Sequence, residues 1–190
     1  VYATDSGKKP FVVDFAHYVM AYCVPDDAIA AYFGNHADDG IDYNSTQKFS
    51  SGTFQLFAPG RRHIVLGATA KHYGRRAVVI PPNRLQDGLS QPELQLQLEY
   101  ERVVEGKNRL FLSIDLDVLD PKYYTTVWSQ GKSSPQEIRR VTSSLARNWE
   151  IVGLNVASYD PEQHDIGKLL VSQMVGYLFD TNLKNIYSLR

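Results

Sequence analysis

Short apolar runs bounded by polar residues, Gly or Pro recur along the chain at residues 11–13, 28–33, 62–66, 77–80, 110–114 and 151–156. The runs at 28–33 and 110–114 are apolar or small throughout, the pattern of strands buried on both faces. Helical patterns lie between or after them. Residues 90–105 carry Leu94 and Leu98 behind Pro92, a helix-start signal. Ser134, Pro135 and Glu137 spell a capping box with Pro at the first helical position, and Ile138, Val141 and Leu145 then form one apolar stripe through Asn148. Residues 166–179 close the chain with Leu170, Met174 and Leu178 on one helical face, Met174 as core filling. Strands alternating with helices predict an α/β fold: a three-layer, mainly parallel sheet with helices on both faces and ligands at the carboxyl ends of strands.

Candidate chemistry concentrates where the 110–114 run ends. Asp115 and Asp117 are two apart, so on a continued strand both carboxylates leave one face and converge on one point. Converging carboxylates repel unless a cation or a shared proton compensates, and hard divalent ions accept oxygen ligands of this kind. The competing reading is that Asp115, Asp117 and Asp120 end a strand and open a turn before Pro121.

Composition narrows the classes. With 190 residues, 43% of them hydrophobic, the chain can bury one sizeable core, so a single domain over 1–190 is expected. A formal net charge of −1 offers no electrostatic footprint for nucleic acid or an anionic membrane. No apolar stretch is long enough to span a bilayer. The single cysteine, Cys23, cannot form an internal disulfide and sits in an apolar run as a packed thiol, so an intracellular compartment, cytoplasmic or organellar, is the expectation.

The phrase S-I-D-L-D-V-L-D-P at residues 113–121 resembles the signature strand of the ureohydrolases, the arginases, agmatinases and formiminoglutamases, which read S-x-D-x-D-x-x-D-P there. The resemblance implies an arginase/deacetylase-like fold that lacks the family's first strand and helix units, and a pair of Mn²⁺ ions ligated by the acids matching Asp115 and Asp117. Earlier phrases extend it. After the 11–13 run, Asp14-Phe15-Ala16-His17 stands where the family has G-G-D-H, which puts His17 at a metal-ligand position while both glycines are lost. Gly34-Asn35-His36-Ala37-Asp38 stands at D-A-H-x-D, retaining His36 and Asp38 but placing Gly34 where a carboxylate bridges both metals. A second register, from Asp42-Tyr43-Asn44 and Ser51-Gly52, would make Asp38 the bridge and Asp42 a ligand, with Gly40 where the histidine belongs. It ranks lower because it draws the polar Asn35 and His36 into the strand.

Retained and lost positions divide by role. Metal positions persist at His17, His36, Asp38, Asp115 and Asp117. The loop histidine implicated in the family's proton transfer is replaced by Gln55 or Ser51, neither of which titrates near neutrality. In the last strand's phrase, the glutamate that binds the substrate guanidinium is replaced by Ser158, which cannot form a bidentate charged pair, and Asn155 stands for an aspartate. Bulky Tyr123, Tyr124 and Trp128 occupy positions the family keeps small, filling a cleft or forming an aromatic interface. His63 and His72 have no companion at ligand spacing and read as packing or surface residues.

Losing the bridge, the proton shuttle and the substrate carboxylate removes three contributions on the order of a few kcal/mol each to transition-state stabilisation. The expectation is an arginase-like protein with an eroded binuclear manganese site, retaining a weak mononuclear Mn²⁺ or none, without catalytic residues, acting as a structural or regulatory subunit with other protein subunits in a homo- or hetero-oligomer. The alternative is a single-metal hydrolase of a guanidino or related C–N substrate, built on His36 with Asp115 and Asp117, or on His17 with Asp38 and Asp115.

Overall fold

The computed structural model describes residues 2–5, 10–13, 24–36, 63–69, 77–82, 98–99, 102–103, 106–160, 162–163, 169 and 172. Among the described residues seven strands form one sheet: β1 (Tyr2–Asp5), β2 (Pro10–Val13), β3 (Ala28–Phe33), β4 (His63–Leu66), β5 (Ala77–Ile80), β6 (Arg109–Asp115) and β7 (Glu150–Ala157). Their order is β1-β2-β7-β6-β3-β4-β5. Among these strands the edge pair β1 and β2 is antiparallel and the other described pairings are parallel. The expected parallel α/β architecture is therefore the observed one, and β1 is the strand that the apolar pattern did not reveal. Its sequence, Tyr-Ala-Thr-Asp, carries too few apolar residues to signal a strand.

Strands β6 and β3 lie at the centre and are buried almost throughout. Side-chain alternation splits them between two cores. Ile29, Ala31 and Phe33 of β3 join Leu110, Leu112 and Ile114 of β6 and Leu154 and Val156 of β7 on one side. Helix α1 (Pro135–Asn148) covers that side with Ile138, Val141, Leu145 and Ala146. Ala28, Ala30, Tyr32, Val65, Phe111 and Val152 form the second core on the opposite face. Gly153 is matched to this face, because a Cβ there would stand 2.3 Å from the Phe111 ring. The β6–β7 register shifts between Leu110 and Phe111, which sets Phe111 opposite Gly153.

Helix α1 starts and stops as its sequence dictates. The Ser134 hydroxyl accepts from the Glu137 N–H at 3.2 Å, and the Glu137 carboxylate accepts from the Ser134 N–H at 2.6 Å. Trp149 ends it, its N–H donating to the Leu145 carbonyl at 2.9 Å. Arg102 lies over the Trp149 ring at 4.4 Å, tying the segment before β6 to the end of α1. Of the helix expected over 90–105, the described residues 98–99 and 102–103 are helical, as are 169 and 172 of the closing one. No helix among the described residues is long and apolar enough to cross a membrane.

Candidate functional site at the carboxyl edge of the sheet

Parallel strands bring their carboxyl ends to one edge, so residues far apart in sequence meet there. Beyond β3 come Gly34, Asn35 and His36; beyond β4, Thr69; at the end of β6, Asp115 and Asp117; beyond β7, Ser158.

The strand does not continue through the D-x-D pair. β6 stops at Asp115, and residues Leu116–Val118 turn into a single 3-10 turn, which Asp115 caps by accepting from the Asp117 N–H at 3.0 Å. The continued-strand expectation for these two acids is thus corrected: the first carboxylate caps the turn that bears the second. After this turn the chain doubles back. Gly131 N–H donates to the Asp117 carbonyl at 2.7 Å, and Ser133 pairs beside Leu119. A Cβ at Gly131 would lie 2.3 Å from the Val118 carbonyl oxygen, so only glycine permits this approach, which carries Ser129 over the sheet edge.

Asp117 is the hub of the edge. Its Oδ1 accepts from the Asn35 N–H at 2.8 Å and its Oδ2 meets His36 Nδ1 at 2.7 Å. His36 Nε2 lies 2.7 Å from Ser129 Oγ. The Asn35 amide donates to the Ser129 carbonyl at 2.8 Å, and its Oδ1 accepts from the Thr69 N–H at 3.2 Å and from the Thr69 hydroxyl. Burial and the neighbouring Asp115 charge push the Asp117 carboxyl up from the usual range, against the opposing pull of its His36 and Asn35 hydrogen bonds. Asn35, Ser129 and Thr69 were missed by sequence reasoning. Their one signal is that Asn35 is polar immediately past a fully buried strand.

Gly34 stands beside Tyr32, and a Cβ at position 34 would come within 2.8 Å of the Tyr32 ring. The ring is held in place, since its hydroxyl donates to the His36 carbonyl at 2.8 Å and its face stacks on His63 at 5.8 Å. His63 is buried packing, as expected. β3 ends at Phe33, so Asn35 and His36 lie beyond the strand, as the preferred register requires. Ser158 is buried with φ 55°, an unusual backbone for a residue with a side chain. Tyr124 supports that turn by donating toward the Ser158 carbonyl at 3.3 Å while its oxygen accepts from the Asp160 N–H at 2.5 Å. Burial raises the Tyr124 phenol above its ordinary value. Asn155 is buried within β7, its Oδ1 accepting from the Ser113 hydroxyl at 2.7 Å. A cleft of about 320 Å³ opens nearby, lined by Trp128, Ser158, Tyr159, Asp160 and Gln163 among others. Of the aromatic residues beside it, Tyr124 fills the core and Trp128 lines the opening.

Solved structures of similar shape identify the architecture. Formimidoylglutamase from Bacillus subtilis subsp. subtilis str. 168 superposes with a TM-score of 0.69 at 14% identity, covering 94% of this chain and 61% of that one. The ureohydrolase fold is the fold of this chain. Agmatine ureohydrolase of Thermoplasma volcanium matches at a TM-score of 0.65 and 16% identity over 97% of this chain and 66% of its own length. Arginase from Bacillus subtilis subsp. subtilis str. 168 matches at 0.66 and 17% over 93% and 72%. The chain thus spans 61% of the formimidoylglutamase and 66% of the agmatine ureohydrolase, less than two thirds of either. No protein-family model matches the sequence, and no curated protein matches it.

The positions expected to bind manganese divide in the ureohydrolase fold of this chain. His36 is brought to the Asp117 carboxylate and Asp115 to the Asp117 N–H, whereas His17, Asp38, Ser51 and Gln55 lie outside the described residues, as do Cys23 and Met174. A hard cation requires several lone pairs free to converge on it. Both Asp117 oxygens and both His36 nitrogens are already engaged by protein groups. Among the described residues no group of three His, Cys, Asp or Glu side chains has the arrangement to hold a metal ion. This part of the donor set therefore does not fit a resident manganese.

Proposed function

We propose that this chain is a ureohydrolase-fold protein without amidinohydrolase activity, serving as a structural or regulatory subunit of a larger assembly. The observation that carries the reading is at position 34. Where the resemblance calls for a carboxylate bridging two cations, glycine stands against the Tyr32 ring, which is itself fixed by the His36 carbonyl. Removing that carboxylate leaves two dications at short range with less charge compensation. Ser158 adds to it, since a buried hydroxyl cannot pair with a guanidinium as a carboxylate does. Metal-activated hydroxide depends on the charge of the ions that generate it.

Elemental analysis of the purified chain and of Asp115→Ala, Asp117→Ala, alongside urea and ammonia release from arginine, agmatine and formiminoglutamate, tests the reading. The expected result is less than stoichiometric metal and no release above background. Metal-dependent release would overturn it in favour of a single-ion hydrolase. The second reading draws on one observation, the approach of His36 to the Asp117 carboxylate, with Asp115 bound to the Asp117 N–H, at the carboxyl edge.

A further inference from the structure

Two segments that follow neighbouring strands wall the cleft of about 320 Å³, a volume suited to a small ligand. Thr125, Thr126, Val127 and Trp128 come from the loop after β6 and its 3-10 turn, and Ser158, Tyr159 and Asp160 from the turn after β7. Gln163 joins the two walls. Its Oε1 accepts from the Thr125 N–H at 3.0 Å, and its Nε2 donates to the Thr125 carbonyl at 2.6 Å and to Asp160 Oδ2 at 3.0 Å. The Thr126 hydroxyl is turned to its own loop, accepting from the Trp128 N–H at 3.3 Å. Asp160 Oδ1 accepts from the Glu162 N–H at 2.9 Å.

What these bonds leave for a ligand is ring, methyl and charge. Among the described residues that line the cleft, Trp128 and Tyr159 are aromatic, Val127 is apolar and well exposed, and Asp160 is the one Asp, Glu, Lys or Arg. Aromatic rings and a carboxylate both attract a cation. A primary ammonium or a guanidinium brings three to five N–H donors, and each needs an acceptor once it leaves water. Gln163, Thr126 and Asp160 are already engaged by protein groups. A quaternary ammonium carries no N–H and presents methyl groups, so it can use the rings and the charge without further acceptors. We propose that this cleft binds a small, free quaternary ammonium compound, its trimethylammonium group lodged against Trp128 and Tyr159 with Asp160 as counter-charge.

The walls are set before a ligand arrives. Tyr159 packs against the core that α1 covers. Tyr124 holds the turn, its oxygen accepting from the Asp160 N–H at 2.5 Å, and Ser158 takes its φ of 55° there. The Gln163 bonds fix the spacing of loop and turn, so binding carries little ordering cost. The cleft shares no lining residue with the network of His36, Asp115 and Asp117, and the proposal involves no proton transfer.

The test is calorimetric titration of the full chain with choline, beside its uncharged carbon isostere 3,3-dimethylbutan-1-ol and beside agmatine. The expected result is one saturable site for choline, with the isostere bound about 5-fold or more weaker. Trp128→Leu keeps an apolar side chain at an exposed loop position without the ring, and Asp160→Asn keeps an oxygen for the Glu162 N–H without the charge. Each is expected to weaken choline binding by about 3- to 30-fold, with circular dichroism as in the parent. The parent chain decides the matter even if a variant misfolds: no saturable choline binding overturns the proposal, and so does an isostere bound as tightly as choline. Unchanged affinity in folded Trp128→Leu overturns it as well. Agmatine bound more tightly than choline would assign the cleft to a cation with N–H donors and sink the quaternary reading. Co-sedimentation with phosphatidylcholine vesicles in the absence of choline binding would also sink it, assigning this face to a lipid surface. Choline binding is measured without turnover of any guanidino substrate, so this proposal and the subunit reading fail separately.

Discussion

The two ends of β6 carry charge in opposite ways. At the amino end, Arg109 pairs with Asp27 at 2.5 Å and Glu150 at 3.6 Å, all with a third or more of the side chain exposed. Asp27 is the main reason the guanidinium is held even more firmly protonated than usual. At the carboxyl end, Asp117 is buried with the Asp115 charge beside it, and its carboxyl is pushed up instead. Water screens the first group, so its geometry can relax at little cost. The second must be satisfied by protein donors, and Asn35, His36 and the turn at Leu116–Val118 supply them. The difference teaches where this fold tolerates change: one edge is held by interchangeable surface pairs, the other by a connected polar network.

The sharpest way to break the contrast is Asp117→Ala. It strips the Asn35 N–H and His36 of their acceptor and is expected to cost about 2–3 kcal/mol by urea denaturation, reduced from the fully buried case because His36 is partly solvated. Asn35→Ala comes next, at about 1–2 kcal/mol, since it leaves Thr69 and the Ser129 carbonyl to find other partners. A carboxyl edge indifferent to both substitutions would dissolve the distinction.

Tyr124→Phe tests the same edge through pH, with an expected loss of about 1 kcal/mol at neutrality. The native phenol titrates above its ordinary value of about 10, so above that pH the unfolded chain has lost a proton that the native state keeps. Stability from this group is therefore lost as pH rises from the unfolded value through the raised native one. The gap in stability between parent and Tyr124→Phe should shrink across that window; a constant gap would refute the buried-phenol account. Smallest of all, Arg109→Ala should cost less than about 1 kcal/mol, and 1 M salt should erase most of the difference while leaving the Asp117→Ala deficit in place.

Residues 28–33, 110–114 and 151–156 announced their strands because central parallel strands, buried on two faces, need apolar side chains at nearly every position. The capping box at Ser134 and Glu137 was legible for a related reason: its partners lie three residues apart, and local geometry suffices to join them. β1 was not legible, since an antiparallel edge strand of four residues has no such requirement.

What sequence by itself determined is thus the alternation of elements, the helix start and the identity of the acids at the end of β6. What only the tertiary structure decided is what those acids touch. Asp117 meets Asn35 and His36 across 82 and 81 positions because β3 and β6 are hydrogen-bonded neighbours. Ser129 arrives because Gly131 lets the returning loop press against Val118. Strand period alone sent Asp115 and Asp117 to one face, and a 3-10 turn intervened. Backbone hydrogen bonds and burial act locally enough to be read from residue type, whereas the partners of a buried carboxylate depend on which strand ends are brought together.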